Sequence, residues 1–210
     1  KRPKDWDVAT AATPETVERL FENTVPVGKA FGVMIVVLEG IPFEVATFRR
    51  DSLDSDGRRP AHVEFAPAVE DARRRDFTIN ALFYDPVWEA VLDHVGGLGD
   101  LRDKLLRAVG DPARRFQEDR LRMLRAVRFA AATGFAMDSG MLAEIRRQGE
   151  GVRQVSAERI GQELARMISE GAAARSLDLL EESGLLPIVL PEVARFRGVA
   201  QPPAYHPEGD

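Results

Sequence analysis

The chain has 210 residues, 44% of them hydrophobic and 30% charged, enough for one large domain or two small ones with a real core and a charged surface. It has no cysteine, which excludes disulfides and thiolate metal sites, and its longest apolar run, FGVMIVVL at 31–38, is far too short to span a bilayer. The net charge of −5 argues against a general nucleic-acid binder, yet residues 101–128 hold nine Lys/Arg against four Asp/Glu, a local excess that suits phosphate.

The opening residues, KRPKDWDVAT, lack an initiator methionine, and the closing QPPAYHPEGD carries no helix end, so both ends read as cut. No signal peptide is visible, and a cytoplasmic protein is expected. If DWDVAT is a strand, Asp5 and Asp7 share one face about 7 Å apart along it. Two carboxylates on one face repel unless a cation sits between them, and Mg²⁺ takes one or two carboxylates together with phosphate oxygens. Such a pair is common on solvated surface and gains meaning only from its context.

Thr13-Pro14-Glu15 predicts a helix start, a cap residue followed by proline at the first helical position, with Val17, Leu20 and Phe21 as its apolar stripe. Residues 31–49 predict a hairpin, two β-rich runs about Glu39-Gly40-Ile41-Pro42. If Glu44 on the second run lies beside the strand of Asp5 and Asp7, three carboxylates converge and can hold the two metal ions of an in-line phosphoryl or nucleotidyl transfer. The competing reading is an exposed strand glutamate opposite buried Phe43 and Val45. Residues 49–65 are polar and Gly/Pro-punctuated, a mobile loop leading into a short strand. DARRRDFTINALFYD predicts a helix ending near Asp85, and residues 90–110 predict a strand, a Gly-Gly turn and a short helix or strand.

After Asp111-Pro112 the pattern turns helical, so the chain divides near 110 into an α/β part and an all-α part. In EDRLRMLRAVRFAA (118–131) a helix would step Asp119, Arg122, Arg125 and Arg128 by three residues, while Phe116, Met123, Leu124, Val127 and Ala131 form a core-facing sector. A salt-bridged surface helix has the same pattern. A functional reading requires a ligand that offers both a donor to Asp119 and an acceptor to Arg122.

Taken in order, KDWDVATAATPETVERLF, PVGKAFGV, FEVATFRRD, RRDFTINALFYD and FQEDRLRMLRAVRFAA closely resemble the class II nucleotidyltransferases, the bacterial tRNA nucleotidyltransferases (CCA-adding and A-adding enzymes) and their poly(A) polymerase relatives. VSAERIGQELARMI resembles a later helix of that family, so the resemblance covers essentially the whole chain. It implies an α+β fold: a polymerase-β-like head over residues 1–110, with a mixed sheet and flanking helices, then a helical neck over 111–170 and the start of a helical body over 171–210. Asp5 and Asp7 match the family's metal-binding aspartates, and Glu44 its third carboxylate. Arg75, Asp76 and Asn80 match the motif that holds ribose and triphosphate. Asp119 and Arg122 match the pair that reads the base, and Arg125 and Arg128 further nucleotide-contacting arginines.

The implied activity is template-independent addition of C and A, or A alone, from CTP and ATP to the 3′ end of tRNA, with Mg²⁺ as cofactor and neither membrane nor DNA as partner. Poly(A) polymerase, and an RNA-binding fragment without catalysis, are the alternatives. The family's Gly-Gly/Ser segment and arginine upstream of the D-x-D are not in this chain, which is therefore expected to be weakly active or inactive by itself. A flexible loop in the region of 49–65 accompanies addition of the terminal A in the family. His206 and Asp210 resemble the entrance to an HD-type domain and are expected to be inert here, and His62 and His94 are expected to be structural.

Overall fold

The computed structural model describes residues 6–51 and 63–199, and the chain forms two compact units, residues 1–99 and 100–210. Asp5, His62, His206 and Asp210 lie outside the described residues.

In the first unit β1 (Asp7–Thr10), β2 (Thr24–Gly28), β3 (Val33–Leu38) and β4 (Ile41–Thr47) form one sheet in the order β1-β4-β3-β2. The β3–β4 hairpin expected from the sequence forms. Its turn residues Glu39 and Gly40 have φ of 52° and 80°, the left-handed pair that a two-residue hairpin turn requires. Between β1 and β2 runs α1 (Pro14–Leu20), and its first turn is closed by Thr13, whose hydroxyl accepts the Thr16 N–H at 3.4 Å. Val17 of α1 buries against Met34, Val36 and Val45 on one face of the sheet. Each such side chain contributes about 1.5–3 kcal/mol by leaving water, so this small cluster fixes which face of the sheet is covered and which is open.

The strands β5 (Arg49–Asp51) and β6 (Val63–Phe65) pair antiparallel and bracket residues 52–62, so the loop expected there lies mostly outside the described residues. The helix α2 (Ala68–Arg74) follows and packs on β5. The sequence predicted that this helix would continue to Asp85, and it does not. Arg75 is extended (φ −67°, ψ 159°), and the Asp76 carboxylate accepts the Phe77 N–H at 2.9 Å. A side chain that binds its own backbone in this way offers the chain an alternative to the helix ladder. A single 3-10 turn spans Thr78–Asn80, and the β-rich run that follows pairs instead as a hairpin, β7 (Leu82–Asp85) with β8 (Ala90–Asp93).

Asp93 ends β8 and starts α3 (Gly97–Asp103): one carboxylate oxygen accepts the N–H groups of Val95, Gly96 and Gly97 and the other that of Leu98. Burial works against its charge, but those backbone donors hold the carboxyl below the usual aspartate range. At Gly97 a Cβ would stand 2.3 Å from the Thr78 carbonyl oxygen, so only glycine admits this close packing.

In the second unit a two-residue strand, β9 (Leu105–Leu106), pairs in parallel with β10 (Ala136–Met137). The rest is helical: α4 (Pro112–Glu118), α5 (Arg122–Thr133), α6 (Ser139–Gln148), α7 (Ala157–Ser169), α8 (Ala173–Glu182), α9 (Leu186–Val189) and α10 (Pro191–Ala194). Helix α4 begins at Asp111, which caps the Ala113 N–H, and α5 stops at Gly134, left-handed at φ 74°. Phe116, Met123, Leu124, Val127, Met141, Ile145 and Leu180 are buried, where α5 packs on α7 and α8 and α4 packs on α6. No helix among the described residues is long and apolar enough to cross a membrane.

Candidate active site

The open face of the four-stranded sheet carries the first group. β1 runs parallel to β4 with Asp7 in register with Glu44, and in-register neighbours project to the same side of a sheet whose strands are about 4.8 Å apart. Both residues are exposed. On the same face Glu44 is flanked by Ile35 of β3, itself in register with Val25 of β2. The strand neighbour expected for Glu44 therefore exists, and it comes from Asp7. Asp5 lies outside the described residues, and among those described no cluster of three His, Cys, Asp or Glu is arranged to hold a metal. Hard carboxylate oxygens at Asp7 and Glu44 nevertheless suit a hard divalent cation and no soft one.

The second group stands where α2 ends. Arg75 directs Nε and Nη2 at one oxygen of Asp71, at 3.2 and 3.1 Å, lies over the Phe83 ring at 5.1 Å, and donates from Nη1 to the Asn80 carbonyl at 3.4 Å. The Asn80 amide donates to Asp76 at 3.3 Å. The structure thus brings Arg75, Asp76 and Asn80 together around a single 3-10 turn. Asp71 was not singled out from the sequence. Its signal was present in Asp71, Arg74 and Arg75, spaced i, i+3 and i+4, the offsets at which helix side chains meet.

The third group lies in the second unit. Asp119 was expected on one continuous helix with Arg122, Arg125 and Arg128. Instead it is the extended residue (φ −147°, ψ 109°) that ends α4, and α5 begins at Arg122. The cause is local: the Asp119 carboxylate accepts the Leu121 N–H at 3.0 Å, and its carbonyl accepts the Arg122 N–H at 3.1 Å, so the chain turns here. Asp119 and Arg122 remain within one turn of each other, their side chains each 14% exposed. Each is fixed by a third residue. Arg159 of α7 donates to Asp119 Oδ2 at 2.8 Å, and Arg122 Nη1 donates to Glu118 at 2.8 Å and to the Arg115 carbonyl at 3.0 Å. Burial opposes the charge of Glu118, but the hydrogen bond from Arg122 and the fields of Arg115, Arg122 and Arg114 hold it below the ordinary glutamate range. Glu118 could have been read from its i, i+4 spacing to Arg122. Arg159 is forty residues from Asp119 and gave no local signal.

Arg125 and Arg128 follow on α5. The Arg125 guanidinium stands 5.5 Å from the Phe129 ring centre, half-buried. Arg128 is buried: it donates to Glu163 of α7 at 2.7 Å and to Glu170 at 3.3 Å, and stacks on Phe129 at 4.2 Å. His94, expected to be structural, stands 6.5 Å from the Phe83 ring.

Comparison with known proteins follows the same division. The family profile described as "Poly A polymerase head domain" matches residues 1–107, and one described as "Probable RNA and SrmB-binding site of polymerase A" matches residues 134–197. The CCA-adding enzyme of Bacillus licheniformis is 42% identical over 182 residues, 86% of this chain and 46% of that protein. The structure of the Bacillus stearothermophilus CCA-adding enzyme in complex with CTP superposes with a TM-score of 0.81 at 37% identity, over 93% of this chain and 48% of that one. A tRNA nucleotidyltransferase complexed with a primer tRNA and an incoming ATP analog gives a TM-score of 0.72 at 26% identity, over 87% of this chain and 52% of that one. The chain spans about half the length of the curated relatives it matches.

Proposed function

The chain belongs to the poly(A) polymerase head-domain family of nucleotidyltransferases, and from that premise we propose that it carries the catalytic and base-reading parts of a template-independent enzyme adding C and A to the 3′ end of tRNA. The observation that carries this reading is the register of Asp7 with Glu44 on an open sheet face. In the reaction the terminal RNA hydroxyl attacks the α-phosphate of CTP or ATP, the new phosphodiester bond forms, and the bond to pyrophosphate breaks.

Asp7 and Glu44, with Asp5, would hold divalent metal, here Mg²⁺. When bound, the metal supplies charge neutralisation for the triphosphate and the leaving group. Arg75 supplies a fixed positive charge to phosphate oxygens, its Nε–Nη2 fork being held by Asp71. Asp76 accepts a ribose hydroxyl and so favours RNA precursors. Asp119 accepts the exocyclic amine of cytosine or adenine while Arg122 donates to the neighbouring ring nitrogen. Arg125 and Arg128 continue this basic row along α5, with Arg128 also holding α5 against α7 through Glu163. The relatives that support this reading are CCA-adding enzymes, one of them seen with CTP, and a tRNA nucleotidyltransferase seen with a primer tRNA and an incoming ATP analog. Its place of work is the cytoplasm.

The test is to incubate the protein, at a concentration and for a time that reveal the weak transfer expected of this chain, with Mg²⁺, tRNA lacking its CCA end and each labelled nucleotide separately, then to size the products. CMP and AMP should be incorporated, UMP and GMP not, and Asp7→Asn or Glu44→Gln should abolish incorporation without altering the melting temperature. Long A tracts on any RNA primer would instead identify a poly(A) polymerase. Undiminished transfer by Glu44→Gln would remove that residue from the site.

A further inference from the structure

We propose that Asp71, which touches no nucleotide in the reading above, is a positioning residue that sets Arg75 for the triphosphate. The proposal rests on that reading of Arg75. The Asp71 side chain is 2% exposed, yet it carries a carboxylate facing two guanidinium groups. A buried carboxylate is costly to desolvate unless its acceptor sites are filled, and here both oxygens are used. Oδ1 accepts from Arg74 Nε at 2.9 Å and from the Arg49 backbone N–H at 3.1 Å. Oδ2 accepts the Arg75 fork.

The division of labour between the two arginines follows from their other partners. Arg74 donates a second time to the Arg49 carbonyl at 3.1 Å, so it ties α2 to β5 and is 22% exposed. Arg75 is 33% exposed and is held on three sides, by Asp71, by the Phe83 ring and by the Asn80 carbonyl. A free arginine side chain loses rotamer entropy when a ligand immobilises it. An arginine fixed beforehand loses much less, and that saving goes into ligand affinity.

A merely structural carboxylate would affect stability and any ligand alike. A positioning carboxylate acts through Arg75, so its effect must vanish when Arg75 is absent. The experiment is a double-mutant cycle of Asp71→Asn and Arg75→Ala in the whole chain, reading CTP affinity with Mg²⁺ by calorimetry. Asp71→Asn keeps the shape but turns an amide toward one guanidinium, and should weaken CTP by about tenfold, the scale of a displaced charged hydrogen bond. In the Arg75→Ala background the same change should weaken CTP by less than about twofold. Additive losses would overturn the proposal, as would an unchanged affinity in Asp71→Asn. If Asp71→Asn does not fold by circular dichroism, Asp71→Glu, which keeps both oxygens but shifts them, takes its place in the same cycle with the same criteria. If the parent chain itself does not bind CTP, the nucleotide reading and this proposal fall together. If the parent binds and the cycle is additive, the proposal alone falls.

Discussion

At the scale of single residues, the chemistry assigned to Asp119 and Arg122 is hydrogen-bond arithmetic. A carboxylate only accepts and a guanidinium only donates. Cytosine and adenine both offer an amine beside an unprotonated ring nitrogen; uracil and guanine offer a carbonyl beside a ring N–H. One such pair would accept two bases of different size and mismatch the other two twice over. Two unpaired polar groups in a closed site cost a few kcal/mol. The double change Asp119→Ala with Arg122→Ala should erode discrimination against UTP and GTP as well as slow transfer, read from single-nucleotide incorporation in an active parent protein. If UTP and GTP are still excluded as strongly, the base is read elsewhere. Arg159 and Glu118 hold these two side chains in place through hydrogen bonds at 2.8 Å each.

The Arg128–Glu163 pair is of another kind. Both side chains are nearly buried, at 8% and 5% exposure, so removing Arg128 leaves the buried Glu163 charge with the exposed Arg166, 3.7 Å away, in place of its close partner. Arg128→Ala should cost about 3–5 kcal/mol of stability, whereas replacing both partners by apolar residues of similar volume should cost much less. Chemical denaturation of the single and double variants measures the difference.

At the scale of elements, the turns decide where helices stop. The sequence of residues 71–85 suggests one helix, but α2 ends at Arg74 because Asp76 binds the Phe77 N–H and the run after Ala81 finds a strand partner in β8. Propensity lost to tertiary pairing there, and the loss matters, since the turn it created is what gathers Arg75, Asp76 and Asn80. Asp93 does comparable work for α3. Its folded carboxyl lies below its unfolded value, so its contribution is complete above the unfolded pKa of about 3.9 and is lost as pH falls through the lower folded value. Asp93→Asn should therefore lower the melting temperature at neutral pH, by an amount corresponding to about 1 kcal/mol. The gap between parent and variant should close as the pH is taken below about 4. A gap that stays constant down to acid pH would mean that the carboxylate's charge is irrelevant to the turn.

For the whole molecule, the sign of the net charge is a poor guide. At −5 the chain is acidic, but nine basic residues crowd into 101–128, and Arg102 and Lys104 among them are exposed. If that segment meets tRNA, replacing Arg102 and Lys104 by alanine should weaken tRNA binding at low salt. It should also flatten the dependence of log affinity on log salt by roughly one unit for each phosphate that is no longer neutralised. Filter binding across a sodium chloride series gives the slope, and an unchanged slope would assign the phosphates to other residues.

What the sequence determined by itself was local or short-range in cause. Thr13-Pro14 starts α1, Glu39-Gly40 turns the hairpin, Asp111-Pro112 starts α4 and Gly134 stops α5, each by chemistry confined to a few residues. The motif order was enough to point to the family, because five spaced motifs constrain far more than any one. Only the tertiary structure decided the rest. The register of Asp7 with Glu44 joins strands thirty-seven positions apart, Arg159 reaches Asp119 across forty residues, and Arg128 turned inward to Glu163 because α5 packs on α7. A one-residue slip of β1 would have sent Asp7 to the face covered by α1, and no local pattern forbids that slip. It is burial of Val17, Met34, Val36 and Val45 on the opposite face that leaves the two carboxylates together in the open.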